Sequence, residues 1–349
     1  MPNAAIDSEA KGVGMNVARR FRGSVGRKNL GARLARRVFI VASVVVMIAP
    51  ALSNTYANAS CSGKALRPSD NIAAIINNAG TGTSFCFAPG TYHPSATIRP
   101  KDNDHFLGTG TSRDAVLITT SKLQVIFNAG SAHGVTYTNL AVSGAVNACP
   151  LRNCGATGDG IHGGINVRVT NVHVYSNGRT GIASINGLTI TGSRLDHNGA
   201  VHGAMDGVSA GVKSATTLTV TGSSVDHNYG NGIWCDNGCG AFTVTGDRVT
   251  YNVSTGIHYE ISQGPAVISN NVVQNNNMAN EVGHGGIGII DSKNASVLGN
   301  TLGGNKGSGI RAKKDKRGFV LTNVSIHTNK MSGDGLFGCG SGVTCYGNS

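Results

Sequence analysis

Gly222-Ser-Ser-Val225-Asp-His-Asn228, closed by Gly232-Ile233, and Gly246-Asp-Arg-Val249-Thr-Tyr-Asn252, closed by Gly256-Ile257, are two copies of one pattern. A small residue or Asn opens it, an aliphatic follows after two variable positions, an Asn after two more, and then Gly-Ile. The same register fits anchors at Asn139, Asn171, Gly192, Asn270, Gly299 and Asn323, so successive anchors from 139 lie 32, 21, 30, 24, 24, 29 and 24 residues apart. Self-similarity with a period in the twenties marks a solenoid, in which each repeat buries its apolar face only by stacking on the next.

Composition chooses among solenoids. Short β-branched runs such as Leu218-Thr-Val-Thr221 and Phe242-Thr-Val-Thr245 alternate as half-buried strands do. Gly and Asn punctuate their ends, where tight bends need left-handed backbone. The repeat region carries neither a sustained helical stripe nor the multiple fixed Leu positions of leucine-rich repeats. The reading is an all-β, single parallel β-helix, each coil a set of short strands about 4.8 Å from the next. Asn177, Asn198, Asn228, Asn252, Asn276, Asn305 and Asn329 are expected to stack as an internal amide ladder.

The first 59 residues follow other rules. Arg19, Arg20, Arg22, Arg27, Lys28, Arg33, Arg36 and Arg37 precede an apolar stretch from Val38 to Leu52, and Ala57-Asn58-Ala59 offers an A-x-A cleavage site before Ser60. This reads as an export signal too short for a comfortable membrane span. Arg36-Arg37-Val38-Phe39-Ile40 resembles a twin-arginine signal, Met15 is an alternative start, and Asn58 argues against lipid anchoring at Cys61. The signal holds 9 of the 29 Lys+Arg and 2 of the 17 Asp+Glu, leaving the mature chain 20 and 15, or +5. That bias suits glycans and is too weak for nucleic acid. Lys313-Lys-Asp-Lys-Arg317 reads as a solvated turn. All eight cysteines lie in the mature part and pair as neighbours into expected disulfides: Cys61 with Cys86, Cys149 with Cys154, Cys235 with Cys239, Cys339 with Cys345. Residues 60–79 are the expected N-terminal cap, helical from an N-cap at Ser69 for two to three turns. Residues 80–138 form the first irregular coils, 139–336 the regular repeats, and 337–349 a disulfide-closed end.

Pro89-Gly-Thr-Tyr92, Ile98-Arg-Pro-Lys101 and Leu107-Gly108, followed by the N-x-x-V-x-x-N…G-I coils, resemble secreted bacterial right-handed parallel β-helix proteins of the pectin-lyase-like superfamily. The resemblance covers nearly the whole mature chain. It implies a right-handed coil, and a superfamily of polysaccharide lyases, glycoside hydrolases, uronan epimerases and non-catalytic adhesins, among which fold does not choose. Gly232-Ile-Trp-Cys-Asp236 and Gly256-Ile-His-Tyr-Glu-Ile-Ser262 resemble a subgroup that repeats such segments on consecutive coils. Gly283-His-Gly285 and Arg311-Ala-Lys313 resemble two of the four polygalacturonase motifs. The doubled Asp between them is absent, and so is an earlier Asp, with Asn231-Gly-Ile233 standing at the corresponding Gly-Ile.

Register supplies the candidate site. With Ile233 and Ile257 inside, Trp234 and His258 point outward, Cys235 and Tyr259 inward, and Asp236 and Glu260 outward again. Two carboxylates then lie on adjacent coils, the spacing at which retaining or inverting glycosidases work, and like charges so close raise one carboxyl's pKa. Trp234 is the chain's only Trp, Glu260 one of two Glu in the mature part. An exposed indole beside paired acids is a sugar platform. The bland alternative has Asp236 capping a disulfide-closed turn and Glu260 paired with a Lys or Arg. A third option is Ca²⁺ at Asp236 and Glu260. Asp206-Gly-Val208 reads as the Gly-Ile of the preceding coil, with Lys213 following. Arg311 and Lys313 are expected outward two coils beyond Glu260. Asp206, Arg311, Lys313 and His284 join Trp234 as substrate-binding candidates. Asp236, Glu260, His258 and Lys213 are the catalytic ones. His162 and His202 lie in or near irregular insertions (144–163, 199–205), loops of a kind that often wall a β-helix cleft and contact substrate. Asp196-His197 and Asp226-His227 are read as a structural ladder on another face. The expected protein is an exported monomer that binds and cleaves a polysaccharide, with no required cofactor, no nucleic acid and no stable membrane insertion. The alternatives are a uronan lyase or epimerase with a Lys or His base and Ca²⁺, and a non-catalytic glycan-binding protein.

Overall fold

The computed structural model describes residues 61–147, 157–183, 185–199, 209–315 and 317–349. The export signal, Cys149, Cys154, His202 and Asp206 lie outside the described residues. The coils stack through three sheets of twelve, ten and nine strands, and consecutive coils pair parallel throughout. The register is that of the repeat. Leu218, Phe242 and Ala266 line up in the first sheet, Val225, Val249, Val273 and Leu302 in the second, Ile233, Ile257, Ile287 and Ile310 in the third. These side chains are buried and form one continuous interior, the main source of stability.

Each letter of the pattern has a physical cause. The anchor turns the corner out of the first sheet in left-handed backbone: φ is +60° at Gly222, +69° at Gly246 and +56° at Asn270. The aliphatic three residues later fills the core. The Asn at the pattern's end stacks inside. Asn177, Asn198, Asn228, Asn252 and Asn276 each pass an Nδ2–H to the Oδ1 of the next Asn, the last being Asn305, at 2.9–3.0 Å, satisfying groups that would be costly to bury unpaired. The Gly of Gly-Ile lies against that ladder. A Cβ on Gly232 would sit 2.8 Å from Asn252 Nδ2 and 2.5 Å from Gly256 O.

The last coil departs from expectation. Asn305 ends on Asp334 Oδ2 (2.6 Å), and Asn329 belongs to a second ladder, Asn271–Asn300–Asn329–Asn348, at 2.9 Å per step. Leu298 aligns with His327, which puts Thr328, φ +55°, at the corner that Gly299 turns one coil earlier. Asn323 is therefore not an anchor. It bonds Asn294 Oδ1, and Asn323-Val-Ser-Ile326-His-Thr-Asn329 fits the pattern only because Asn serves in both ladders. Asp247 occupies the second ladder's column beside Asn271. Its Oδ1 accepts from Ser223 N, its Oδ2 is buried without a partner, and burial pushes its carboxyl up to about 7.

At the N-terminal end the helix is Ile72–Asn77, six residues, capped by Asn71 accepting from Ala74 N rather than by Ser69. The preceding strand, Lys64–Leu66, already pairs with Ser84–Phe87, so the cap includes a strand of the first sheet. Cys61–Cys86, Cys235–Cys239 and Cys339–Cys345 are bonded, which fits an oxidising compartment. No helix among the described residues is long and apolar enough to cross a membrane.

Candidate functional site

The outer face of the nine-stranded sheet carries one row of unlike residues. Lys213, Trp234, His258, Gly288 and Arg311 are aligned on successive coils. Two residues on, Glu260, Ile290 and Lys313 align, and because Cys235 pairs with Tyr259, Asp236 comes beside Glu260. Alternation thus places the acids as the sequence reading has them. The equivalent of Gly-Ile one coil before Gly232-Ile233 is Gly211-Val212, since Val212 pairs with Ile233. Asp206-Gly-Val208 lies outside the described residues, and Lys213 is on the strand as expected.

A cavity of about 590 Å³ opens over this face, lined among others by Trp234, Asp236, His258, Glu260, His284, Lys313 and Arg317. The connection before strand Gly285–Ile290 supplies one wall through Gly283 and His284, so this segment borders the cavity rather than covering it. His284 is held by the hydroxyls of Ser254 (2.8 Å) and Thr255 (3.0 Å), edge-on to His258. Lys213 and Arg311 are not among the lining residues. Lys213 lies beneath the indole, and Arg311 turns to Phe337, its guanidinium 4.7 Å from the ring centre. His162 sits on strand Asp159–His162, not in an irregular insertion, and bonds Asp159 at 2.9 Å. His197 and His227 stack 5.3 Å apart on the ten-stranded sheet, each held through Nδ1 by its neighbouring Asp, the ladder anticipated for them.

Trp234 is not an exposed platform. It is 5% exposed because both ring faces are taken: Lys213 Nζ lies 3.3 Å from the indole centre, and the His258 ring stacks on the other side at 5.9 Å and 11°. The coil spacing that brings the acids together also brings these neighbours onto the indole. What Trp234 offers the cavity is its N–H, donated to Glu260 Oε2 at 3.2 Å.

The electrostatics separate the two acids. Asp236 faces Lys213 Nζ at 3.2 Å and accepts from Asn237 Nδ2. Burial raises its pKa and outweighs Lys213, with the Glu260 charge adding to the rise. For Glu260 burial also pushes upward, but His258, the Arg317 guanidinium and the indole N–H together hold it below its ordinary value. Burial drives His258, 7% exposed and with no partner for Nδ1, down to about 4, so at neutral pH it is uncharged and Arg317 is the cation Glu260 feels. Burial likewise lowers Lys213, against the pull of Asp236.

Arg317, with Asp291 and Asp315, is the part sequence reading missed. Lys313-Lys-Asp-Lys-Arg317 is not simply a solvated turn. Arg317 NH1 binds Glu260 Oε1 at 2.7 Å, NH2 binds Asp291 at 3.1 Å and Nε binds Asp315 at 2.6 Å. The available signal was the column Glu260–Ile290–Lys313, which sets this connection beside Glu260. The oxygens of Asp236 and Glu260 already face Lys213, Asn237, Arg317 and Trp234, and no group of three or more His, Cys, Asp or Glu suited to a metal occurs among the described residues.

Residues 109–271 match the family model described as right handed beta helix region. This is a right-handed parallel β-helix protein. Among solved structures the β-helix is similar to an alginate lyase from Paenibacillus sp. str. FPU-7, with TM-score 0.53 and 14% identity over 80% of this chain and 99% of that one. It is also similar to the enzymatically active domain of tailspike protein 2 from bacteriophage CBA120, with TM-score 0.51 and 14% identity over 81% of this chain and 46% of that one. At such identities the likeness is one of fold. Among curated proteins none matches the sequence significantly.

Proposed function

We propose that this β-helix protein is an exported enzyme that cleaves a polysaccharide in the cavity over its nine-stranded sheet, with Asp236 as proton donor and Glu260 as the ionised partner. One observation carries the reading: two carboxylates on adjacent coils border one cavity, and their surroundings push their pKa values in opposite directions. Separated carboxyl pKa values are how a site assigns acid and base. In hydrolysis the C1–O bond breaks and the departing oxygen takes the proton of Asp236. Glu260 either removes a proton from the water that adds to C1 or attacks C1 itself, giving an intermediate that water then opens. Lys313, His284 and the Trp234 N–H border the space left for the sugar. No step is routed through calcium.

A second reading has its own support. His258 is uncharged at neutral pH and Lys213 has its proton affinity lowered, which suits a base that takes the C5 proton of a uronate while the C4–O bond breaks and the departing oxygen takes a proton from Asp236. The likeness in fold to an alginate lyase extends over 99% of that enzyme. The test is the chain purified from Ser60, offered neutral and uronic-acid polysaccharides, with reducing ends and unsaturated, ultraviolet-absorbing product read in parallel. Reducing ends alone support the acid pair. Absorbing product moves the chemistry to His258 and Lys213. Binding without product leaves a glycan-binding protein.

A further inference from the structure

By register Asp236 and Glu260 are twins, yet their surroundings push one pKa up and the other down, and the two acids face different cations. Asp236 faces Lys213, a strand residue of the preceding coil lying flat on the indole. Glu260 faces Arg317, which reaches back from the connection after strand Ser308–Lys313. We propose that Arg317 is a positioning residue that assigns the roles within the pair: it fixes the Glu260 carboxylate as the charged member and so leaves Asp236 as the donor. The proposal rests on the acid-pair reading and deepens it.

Three observations carry it. Both Glu260 oxygens are engaged, Oε1 by the guanidinium at 2.7 Å and Oε2 by the indole N–H at 3.2 Å, so the group is fixed in orientation as well as charge. The guanidinium is itself clamped, by Asp291 at 3.1 Å and Asp315 at 2.6 Å, with the Arg317 backbone N–H donating to Asp315 Oδ1 at 2.7 Å. It therefore presents a set edge to Glu260 rather than a mobile charge. The other groups facing Glu260 do not supply a fixed positive charge. His258, on its own strand, is neutral at physiological pH, and His284 faces His258 from the next connection. Asp236, from the preceding coil, opposes ionisation, and Lys213 is committed to Asp236 and the indole. Lys313 lies in the Glu260 column two coils on, past Ile290. An arginine stays charged wherever the fold does, and its planar fork serves three carboxylates at once, which a lysine's point charge does not.

The chain's single Trp donates to Glu260, so its fluorescence reads this carboxylate without substrate. With His258, which stacks on the indole and itself titrates at about 4, replaced by Gln in every protein compared, the emission change on acidification should fall below the usual Glu value of about 4.3 when Arg317 is present. In Arg317→Ala it should move up by about one pH unit or more. Arg317→Lys should lie between, and Glu260→Gln should lack the transition. In turnover, Arg317→Ala should lower kcat more than it raises KM, shift the acidic limb of the pH profile in the same direction, and recover in part with added guanidinium ion. An Arg317→Ala protein that melts normally and keeps the midpoint seen with Arg317 overturns the proposal, as does a transition that survives in Glu260→Gln. If the midpoint shifts as expected but no polysaccharide is cleaved, the positioning stands and the acid-pair chemistry falls.

Discussion

The outer faces of the twelve- and nine-stranded sheets are built on the same coils and carry different content. Along the first, Thr136, Arg168, Thr189, Thr219, Thr243, Val267, Ser296, Ser325 and Thr344 line up, nearly all short hydroxyl or β-branched side chains. Along the second, Lys213, Trp234, His258, Gly288 and Arg311 share almost no chemistry. A solenoid needs only a β-suited, water-compatible residue at an outward position, and repetition of Thr meets that need. Departure from the repeat, with charges half-buried against one another, is costly unless the groups pair, and the nine-stranded face has built such pairing around one cavity. Local rules broken on an otherwise consistent fold are expected at functional or strained places.

The largest effect should come from the paired acids. Asp236→Asn and Glu260→Gln are each expected to lower turnover by about 10²–10⁴-fold, measured as product release per enzyme. Thr219→Val on the other face should leave turnover unchanged. Equal losses on both faces would erase the comparison. Next is the interior that both faces share: Ile257→Ala, removing a fully buried side chain from the column under the site, should cost about 2–5 kcal/mol in denaturant unfolding.

Asp247 sharpens the contrast between ladder and site, because it is a buried acid with no proposed chemistry. Its folded value, about 7, lies above the ordinary one, so its stabilising proton is fully present below about 4 and is lost as pH rises through about 7. The native protein should thus lose on the order of 2–4 kcal/mol between pH 5 and pH 8 from this group. Asp247→Asn, placing there the residue that the following coil has in Asn271, should melt higher at pH 8 and with less pH dependence. The pH profile of turnover tests the other acids: activity should fall as Glu260 protonates below its depressed value and as Asp236 loses its proton above its raised one, giving an optimum on the acidic side. The smallest effect is Thr219→Val on melting, within about 0.5 kcal/mol.

What was legible follows from the same contrast. The repeat displayed the core columns, the Asn ladder and the outward placement of Trp234, Asp236, His258 and Glu260, because alternation along a strand and stacking between coils are nearly rigid rules. It misplaced Asn323 and Asn329, because two ladders and several left-handed corners all select Asn. It gave Trp234 as exposed, because periodicity tells which way a side chain points and not what its neighbours lay across it. Arg317 was hidden for a related reason: it comes from a connection whose length and path no repeat constrains, and its three carboxylate partners come from two other coils and its own turn.

The most direct measurement is a crystal structure of the Asp236→Asn protein soaked with fragments of the polysaccharide it processes. The account requires sugar density in the cavity, with a glycosidic oxygen facing residue 236 and the anomeric carbon toward Glu260. Sugar seated on the threonine face of the twelve-stranded sheet, with the Asp236–Glu260 cavity empty, would contradict it.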